Sequence, residues 1–536
     1  MRGTKWVFIS GGVLSGLGKG LVSASVGRFM QSRGYEVVPI KCDGYLNVDP
    51  GTMNPIEHGE VFVLNDGGEV DMDFGHYERF LGIETKFDWN LTSGKIFQSV
   101  IEKERDGEYL GKTVQMIPHV TDEIKGRLKS AAEEEDADVV LVEIGGTVGD
   151  MENMIFLEAA RQMQLELPEE DTCLVHVTLV PWLEAVGEQK TKPTQHSIKE
   201  LESMGLEANV IVGRAEDSLE DKTKDKISLF CNVPKKHVVS NPDVEEVYRI
   251  PLNLKEDDLD DVVSDELELR SEEVHMERWR ELVENLEDPE EEVEIAICGK
   301  YTKLEDSYVS IKEALNHCSA HLKTEMSYNF IETTEIENGE KTVKEVLEGS
   351  DGVIIPGGFG RRGAEGKIKV AEYCRKNGVP ILGLCYGLQL MVTEFARNKC
   401  NLEGANSTEV DEDTENPVID LIPEQKNVEA KGGTMRLGGQ VTEIKKGSMA
   451  EDIYGKNKIE ERFRHRYEVN PKYHDCLKEN GLKLTGVAEK ENHIVQIVEL
   501  EEHPFYFATQ FHPEFTSQFE EPNPVFMEFV KSCKGR

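Results

Sequence analysis

Residues 380–391 read Pro380-Ile-Leu-Gly-Leu-Cys-Tyr-Gly-Leu-Gln-Leu-Met391. An apolar run ends in Gly-Leu-Cys-Tyr-Gly, and an apolar stretch with helical spacing follows. The pattern predicts a strand, a sharp turn and a helix, with Cys385 on the turn. A nucleophile there needs small neighbours, because the backbone is tight and strained. The positive end of the helix dipole favours a thiolate at that place. Gln510-Phe-His-Pro-Glu-Phe515 adds His512 and Glu514. A histidine and a carboxylate from elsewhere in the chain supply a base and the group that orients it. The N–H groups of Gly357, Gly358 and Tyr386 are the expected oxyanion donors.

Working outward, a strand begins at Val293 and ends at Cys298. It precedes a helix at Ser310–His321, a strand at Gly352–Ile355, a helix at Ala364–Lys376 and the strand Pro380–Leu384. The first half alternates in the same way. Apolar runs at Val7–Ile9, Val37–Ile40, Val139–Ile144, Cys173–Val180 and Val210–Val212 read as buried parallel strands, with helical patterns such as Leu21–Ser32 between them. The expected fold class is therefore α/β, with a P-loop-like doubly wound parallel sheet in the first half and a second α/β pattern in the other. Domain boundaries are expected at 1–265 and 293–536, joined by an acidic linker over 266–292. Asn398–Asn416 reads as a surface insertion or partly mobile loop.

A chain of 536 residues exceeds one ordinary core. It contains no run of about 18 apolar residues, so no membrane span is expected. A strand starts almost at once and no signal pattern precedes it, so a cytoplasmic protein is expected. The ten cysteines are scattered, with no CxxC pair, and read as buried small residues apart from Cys385. The net charge of −42 argues against binding nucleic acid or an anionic membrane.

Ser10-Gly-Gly-Val-Leu-Ser-Gly-Leu-Gly-Lys-Gly20 joins the first strand to the first helix. Consecutive N–H groups and a helix N-terminus cradle phosphate oxygens, and Lys19 reaches the outer phosphates. The strict P-loop pattern fails twice: Val13 stands where glycine is usual, and Gly20 replaces the hydroxyl residue that helps to hold magnesium. Carboxylates must then hold the metal. Asp73, and Glu143 at the end of a buried strand, suit that role. Gly187-Glu-Gln-Lys-Thr-Lys-Pro-Thr-Gln195 is a cationic island in an acidic chain, and a second polyphosphate accounts for it. Lys41 and Lys226 are further cations near strand ends.

At these residues the chain closely resembles the CTP synthase family over essentially its full length. The matching runs include SGLGKG (15–20), DFGHYERF (73–80), VEIGGTVGD (142–150), KTKPTQHS (190–197), PGGFG (356–360), NSTE (406–409), GGTMRLG (432–438) and QFHPEF (510–515). The resemblance implies an amidoligase half and a class I glutamine amidotransferase half. It implies ATP contacts at Gly16, Leu17, Gly18, Lys19, Gly20, Leu21 and Asp73, with Pro242, Asp243 and Val244 as a second ATP segment. Mg2+ would sit on Asp73 and Glu143. UTP and CTP contacts fall on Ser15, Asp150, Met151, Glu152, Lys190, Thr191, Lys192, Pro193, Thr194, Gln195 and Lys226. Glutamine contacts fall on Gly358, Tyr386, Gly387, Leu388, Gln389, Glu409 and Arg466, and the triad is Cys385, His512 and Glu514. The implied reaction is ATP-dependent amination of UTP to CTP through a phosphorylated O4, with ammonia from L-glutamine. GTP as activator, CTP as feedback inhibitor and a homotetramer are implied too, with GTP near GGTMRLG and Arg361–Arg362. Tyr386, Arg361 and Pro242 depart from the family's usual residues.

Two rivals share parts of the pattern. Another glutamine-fed, ATP-driven ligase would differ in acceptor, and the cationic island counts against it. A partitioning-type ATPase would leave the Cys385 turn and His512-Pro-Glu514 unexplained. The acids cluster in runs such as Glu287–Glu294 and Asp411–Glu415, which read as solvated faces or linkers and also suggest adaptation to high salt, where screening relieves self-repulsion. Stability and activity should therefore rise from low to molar salt; full folding and activity at low salt with inhibition at molar salt would refute this.

Overall fold

Continuous apolar strands must be covered on both faces, and the first sheet meets that demand. The computed structural model describes residues 3–51, 53, 59–270, 272–300, 305–421 and 435–535. Strands β1 (Lys5–Gly11), β2 (Val37–Asp43), β3 (Asn90–Thr92), β4 (Val139–Ile144), β5 (Thr172–Leu179), β6 (Val210–Ala215) and β7 (Val238–Pro242) pair in the order β7-β6-β5-β1-β4-β2-β3. All these pairs are parallel. Every residue of β1, β2 and β4 is buried. Helix α1 (Lys19–Ser32) follows β1, and α2 (Lys192–Ser203) lies between β5 and β6. The strand order reverses beside β1, and a sheet of this kind binds ligands outside the carboxyl ends of its strands at that point.

The described chain forms two compact bodies. One comprises Met1–Pro50 and His76–Val283, the other Gly51–Gly75 and Glu284–Arg536. In the second body, β8 (Glu291–Gly299), β9 (Thr324–Glu332), β10 (Gly352–Ile355), β11 (Ile381–Leu384), β12 (Arg436–Ile444), β13 (Lys458–His465), β14 (Lys483–Ala488), β15 (Glu491–Glu499) and β16 (Tyr506–Thr509) build a sheet in the order β9-β8-β10-β11-β16-β15-β14-β12-β13. The order from β9 to β16 is parallel, and β15 onward continues it antiparallel. Helices α3 (Ala364–Asn377) and α4 (Tyr386–Asn398) cover one face of this sheet, with Val370, Ala371, Leu388, Met391 and Phe395 in the core.

Three findings modify the sequence reading. First, a hairpin of Phe62–Val63 and Glu69–Val70 is built into the second body although it lies within 1–265. Gly439 N donates to Asn65 O at 2.7 Å, Arg462 Nη1 to Val63 O at 3.1 Å and Arg464 Nε to Glu69 Oε1 at 2.7 Å. No local periodicity could announce that, because the partners are remote in sequence.

Second, the stretch 266–292 is no free tether. Its helix Glu277–Glu287 buries Trp279, whose Nε1 donates to Tyr248 O at 2.8 Å and whose ring meets Phe80 at 5.3 Å. A mostly helical connector from about Leu259 is what the sequence reading expects there; what the acidic composition hid is the packing of its Trp279 face.

Third, Asn398–Asn416 is only in part a surface loop: residues such as Asn401, Asp411 and Glu415 are exposed, but its middle is built into the body. Ala405 and Ser407 are fully buried, and Asn406–Ser407 pairs with Pro417–Leu421.

Among the described residues no helix is long and apolar enough to cross a membrane. Trp279→Ala should destabilise the first body by ~3–5 kcal/mol, the usual cost of emptying a large aromatic site, measured as an earlier denaturation midpoint by circular dichroism.

Candidate active site

In the second body, Cys385 joins β11 to α4 at φ 52, ψ −98. A non-glycine residue in that region is strained, and its surroundings must over-determine it. They do so here through packing. A Cβ on Gly387 would overlap the Ile355 carbonyl oxygen, so only glycine allows the helix to start this close to β10. Cys385 N also donates to Thr509 O of β16 at 2.7 Å. The turn thus aims the sulfur into a cavity of about 420 Å³, lined among others by Gly357, Gly358, Glu409, Arg466, His512 and Glu514.

His512 Nδ1 and Glu514 Oε1 are 2.7 Å apart, both side chains buried. The imidazole stacks on Phe515, centroids 5.0 Å apart. His512 Nε2 has no hydrogen-bond partner among the described residues. Burial pushes the imidazole pKa down, but the Glu514 carboxylate and then the Cys385 sulfur outweigh it and raise it to about 10. The geometry therefore favours an imidazolium beside the sulfur at neutral pH. The charged ring contributes stability in full below about pH 6.5 and loses it as pH rises through about 10.

The sulfur has two further partners that the sequence reading missed. Its S–H donates to Arg464 O at 3.5 Å, and Gln510 Nε2 donates to Sγ at 3.6 Å. Gln510 sits in the quoted QFHPEF run, but nothing in spacing shows that its buried amide turns to the thiol. A Cβ on Gly357 would lie 2.9 Å from His512 Cε1, so that peptide runs directly beside the ring.

The strip after Gly358 is tacked down. Gly360 N donates to Glu409 Oε1 at 2.7 Å, and Tyr386 OH donates to Gly360 O at 2.8 Å. Lys300 Nζ donates to Phe359 O and Arg362 Nη2 to Lys300 O. Burial raises the Glu409 pKa. Beneath the strip Lys367 is buried with its ammonium 5.3 Å from the Tyr386 ring centroid, and burial followed by Lys300 lowers its pKa to about 7. Of the residues the resemblance implies for glutamine, Gly358, Glu409 and Arg466 line the cavity. Leu388 instead enters the core, and Gln389 Nε2 donates to Tyr467 O at 2.9 Å. Gly387 packs on β10. Gly51, Met53, Glu60 and Val61 also wall the cavity. Residues 54–58, and 432–434 of the expected GTP stretch, lie outside the described residues.

In the first body, the loop after β1 places Val13 at φ 78, with Gly16 at φ 77 and Gly18 at φ 85. Val13 stands where the strict pattern has glycine, and the backbone keeps a glycine conformation there at a steric cost. Leu17 and Gly20 are buried, Leu21 half-buried and Ser15 exposed. Lys19 Nζ donates to Gly146 O at 2.8 Å, tying the loop to the turn after β4. At the end of β4, Glu143 accepts from Lys41 Nζ at 2.7 Å and from Tyr77 OH. Asp73, which is counted with the second body, opens the helix Asp73–Leu81 that carries Tyr77. Each Glu143 oxygen has one donor, and an ionised carboxylate retains further lone pairs. Among the described residues no group of three or more His, Cys, Asp or Glu side chains gathers. One or two carboxylates fit a magnesium ion that takes its other ligands from phosphate and water.

The second cluster is arranged around α2. Lys192 and Pro193 border an open cavity with Val13 and Thr147. Thr191, Thr194 and Gln195 are buried and hold the scaffold: Thr194 Oγ1 donates to Leu179 O at 3.1 Å and Gln195 Nε2 to Thr191 Oγ1 at 2.9 Å. Lys190 pairs with Glu188, whose carboxyl it depresses with a smaller contribution from the exposed Lys226. Asp150 Oδ2 accepts from Thr147 N at 3.2 Å, and Met151 and Glu152 are exposed. Pro242 ends β7, with Val244 half-buried beyond it, and Asp243 Oδ1 accepts from Arg214 Nε at 2.7 Å. Arg214 lies beside Gly18, so it links that segment to the loop; the sequence reading did not single it out.

Residues 5–269 match the family described as CTP synthase N-terminus, and residues 303–532 match glutamine amidotransferase class-I. The chain is 54% identical to the CTP synthase of Pyrococcus furiosus, over 99% of this chain and 98% of that protein. It is 53% identical to that of Archaeoglobus fulgidus, over 99% and 98%. It is 50% identical to that of Natronomonas pharaonis, over 99% and 95%. It is also similar to a solved Trypanosoma brucei CTPS glutaminase domain with bound acivicin: 34% identity, 45% of this chain and 93% of that one, TM-score 0.43.

Glu514→Gln removes the charge that raises His512, so the imidazolium is lost at lower pH. The alkaline limb of kcat/KM for glutamine hydrolysis should move to lower pH, and kcat should fall ~10³–10⁴-fold, read by glutamate release.

Proposed function

The chain belongs to the CTP synthase family, glutamine-hydrolysing ligases that use UTP, ATP and glutamine, and from that premise we propose how its residues divide the work. The Cys385 thiolate attacks the side-chain amide carbon of glutamine. His512 protonates the departing ammonia, leaving a thioester, and then draws a proton from water as the hydroxide releases glutamate. Glu514 orients the imidazole. Backbone N–H groups at Gly357–Gly358 and Tyr386 receive the oxyanion. Glu409 and Arg466 hold the two ends of the glutamine backbone by charge. The observation that most supports this reading is the strained Cys385 turn, aimed into the same cavity as the buried His512–Glu514 pair.

In the other body the loop Gly16–Leu21 and Lys19 bind the ATP phosphates. The γ-phosphoryl passes to O4 of UTP, ADP leaves, and ammonia then displaces phosphate at C4 to give CTP. Such transfer needs positioning and charge neutralisation more than covalent help. A magnesium ion held by Glu143 and Asp73 would supply part of that neutralisation. Lys41 holds Glu143 in place and adds positive charge. Lys190, Lys192 and Lys226 bind the UTP phosphates, and Asp150 to Glu152 contribute further contacts to the nucleotide. Ammonia must reach C4 sheltered from protonation in bulk water. The proposal extends to activation by GTP, feedback inhibition by CTP and a homotetramer.

Cys385→Ala should abolish glutamine-dependent CTP formation and spare formation from added ammonia. Lys19→Ala should abolish both. The assay is the appearance of cytosine nucleotide from UTP, ATP and Mg2+, and normal glutamine use by the Cys385 variant would refute the triad.

A further inference from the structure

One buried chain in the first body has no part in the chemistry above. Ser10 Oγ at the end of β1 and His176 Nδ1 on β5 are 2.9 Å apart. His176 Nε2 and Ser197 Oγ on α2 are 2.6 Å apart. Ser10 and His176 are fully buried, and Ser197 nearly so. Burial, then the nearby Lys19 charge, lower the imidazole pKa to about 3, so the ring is neutral. A neutral imidazole has one N–H and one bare nitrogen. It can therefore accept from one serine and donate to the other, so both ring nitrogens are satisfied.

This chain spans two segments with different ligands. Ser10 begins the phosphate loop. Ser197 lies two residues beyond the cationic island, on the same helix. A Cβ at Gly12 would overlap Ser197 Oγ and lie 2.9 Å from His176 Nε2, so loop and helix also meet directly. A cavity of about 440 Å³ lies where they meet, bordered by Val13 from the loop and by Lys192, His196 and Ser197 from α2.

We propose that His176 is a positioning residue that locks the phosphate loop to α2, so that binding a nucleotide at either one strengthens binding at the other. The physical basis is shared order. A ligand that fixes the loop also fixes the helix through two short hydrogen bonds, and the second ligand then loses less freedom on binding. By linkage the effect is reciprocal. The inference rests on the reading that the loop binds ATP and α2 borders the UTP site.

The test uses the full chain with Mg2+. UTP affinity is measured by titration with and without a saturating non-hydrolysable ATP analogue, and the analogue's affinity with and without UTP. In the unaltered chain each should tighten the other ~5-fold or more. His176→Phe keeps the ring shape and removes both nitrogens; its ratio should fall to within about twofold of one. His176→Gln, which again offers one donor and one acceptor, should restore it. Thermal melting and glutamine hydrolysis check folding. If His176→Phe does not fold, Ser197→Ala breaks one link with the ring in place and should lower the same ratio. A ratio of one in the unaltered chain would overturn the inference. So would an unchanged ratio in the folded Phe or Ala variant, or equal loss in the Gln and Phe variants. A Lys19→Ala chain that binds the ATP analogue normally would instead overturn the reading of the site beneath it.

Discussion

Parallel pairing is the constraint on which both sites depend. Parallel strands all end at the same edge of their sheet, so the chain must turn there repeatedly. In the first body that edge gathers the Ser10–Lys19 loop, Lys41 and Glu143, because β1, β4 and β2 are neighbours in register: Ile9 pairs with Glu143 and Glu143 with Lys41. In the second body the same logic brings Cys385 after β11, Gly357 after β10 and His512 after β16 to one rim. Neither cluster is local in sequence. Each follows from strand order.

Local electrostatics then override the global charge. A chain of net −42 still builds a loop lysine, a Lys41–Glu143 pair and a cationic island. Charge buried in a low dielectric acts over a few ångströms, while surface acids are screened. Burial also decides protonation. It holds His176 neutral where only hydrogen bonding is required. In His512 a carboxylate and a sulfur reverse the same effect, and the ring is charged. Two buried histidines thus have opposite states for one reason, the presence or absence of an anionic neighbour.

Much of this was legible. The Cys385 turn, the strand–loop–helix at Ser10–Lys19 and the alternation of the first half rest on short-range rules about glycine, period and charge, and those rules act within a dozen residues. The less legible parts all involve partners distant in the chain. Trp279 sits in an acidic stretch that composition marks as linker, yet one aromatic face suffices to dock it on Phe80 and Tyr248. Glu409 lies in a segment that looks like an insertion, yet its carboxylate receives the Gly360 N–H in the thiol cavity. Gln510 sits inside a motif and Arg214 outside one, yet neither role is readable from the sequence, since an amide or guanidinium declares its role only by what it meets.

By itself, then, the sequence determined the kinds of chemistry available: a thiol on a tight turn, an imidazole with a carboxylate, and a loop of N–H groups with a lysine. Those depend on covalent structure and local backbone preference. Tertiary structure alone decided which groups face one cavity, which ones hold the scaffold, and that a hairpin from the first half belongs to the second body. Such choices depend on burial and on register between remote strands. Both are properties of the whole packed chain, and no window of residues contains them.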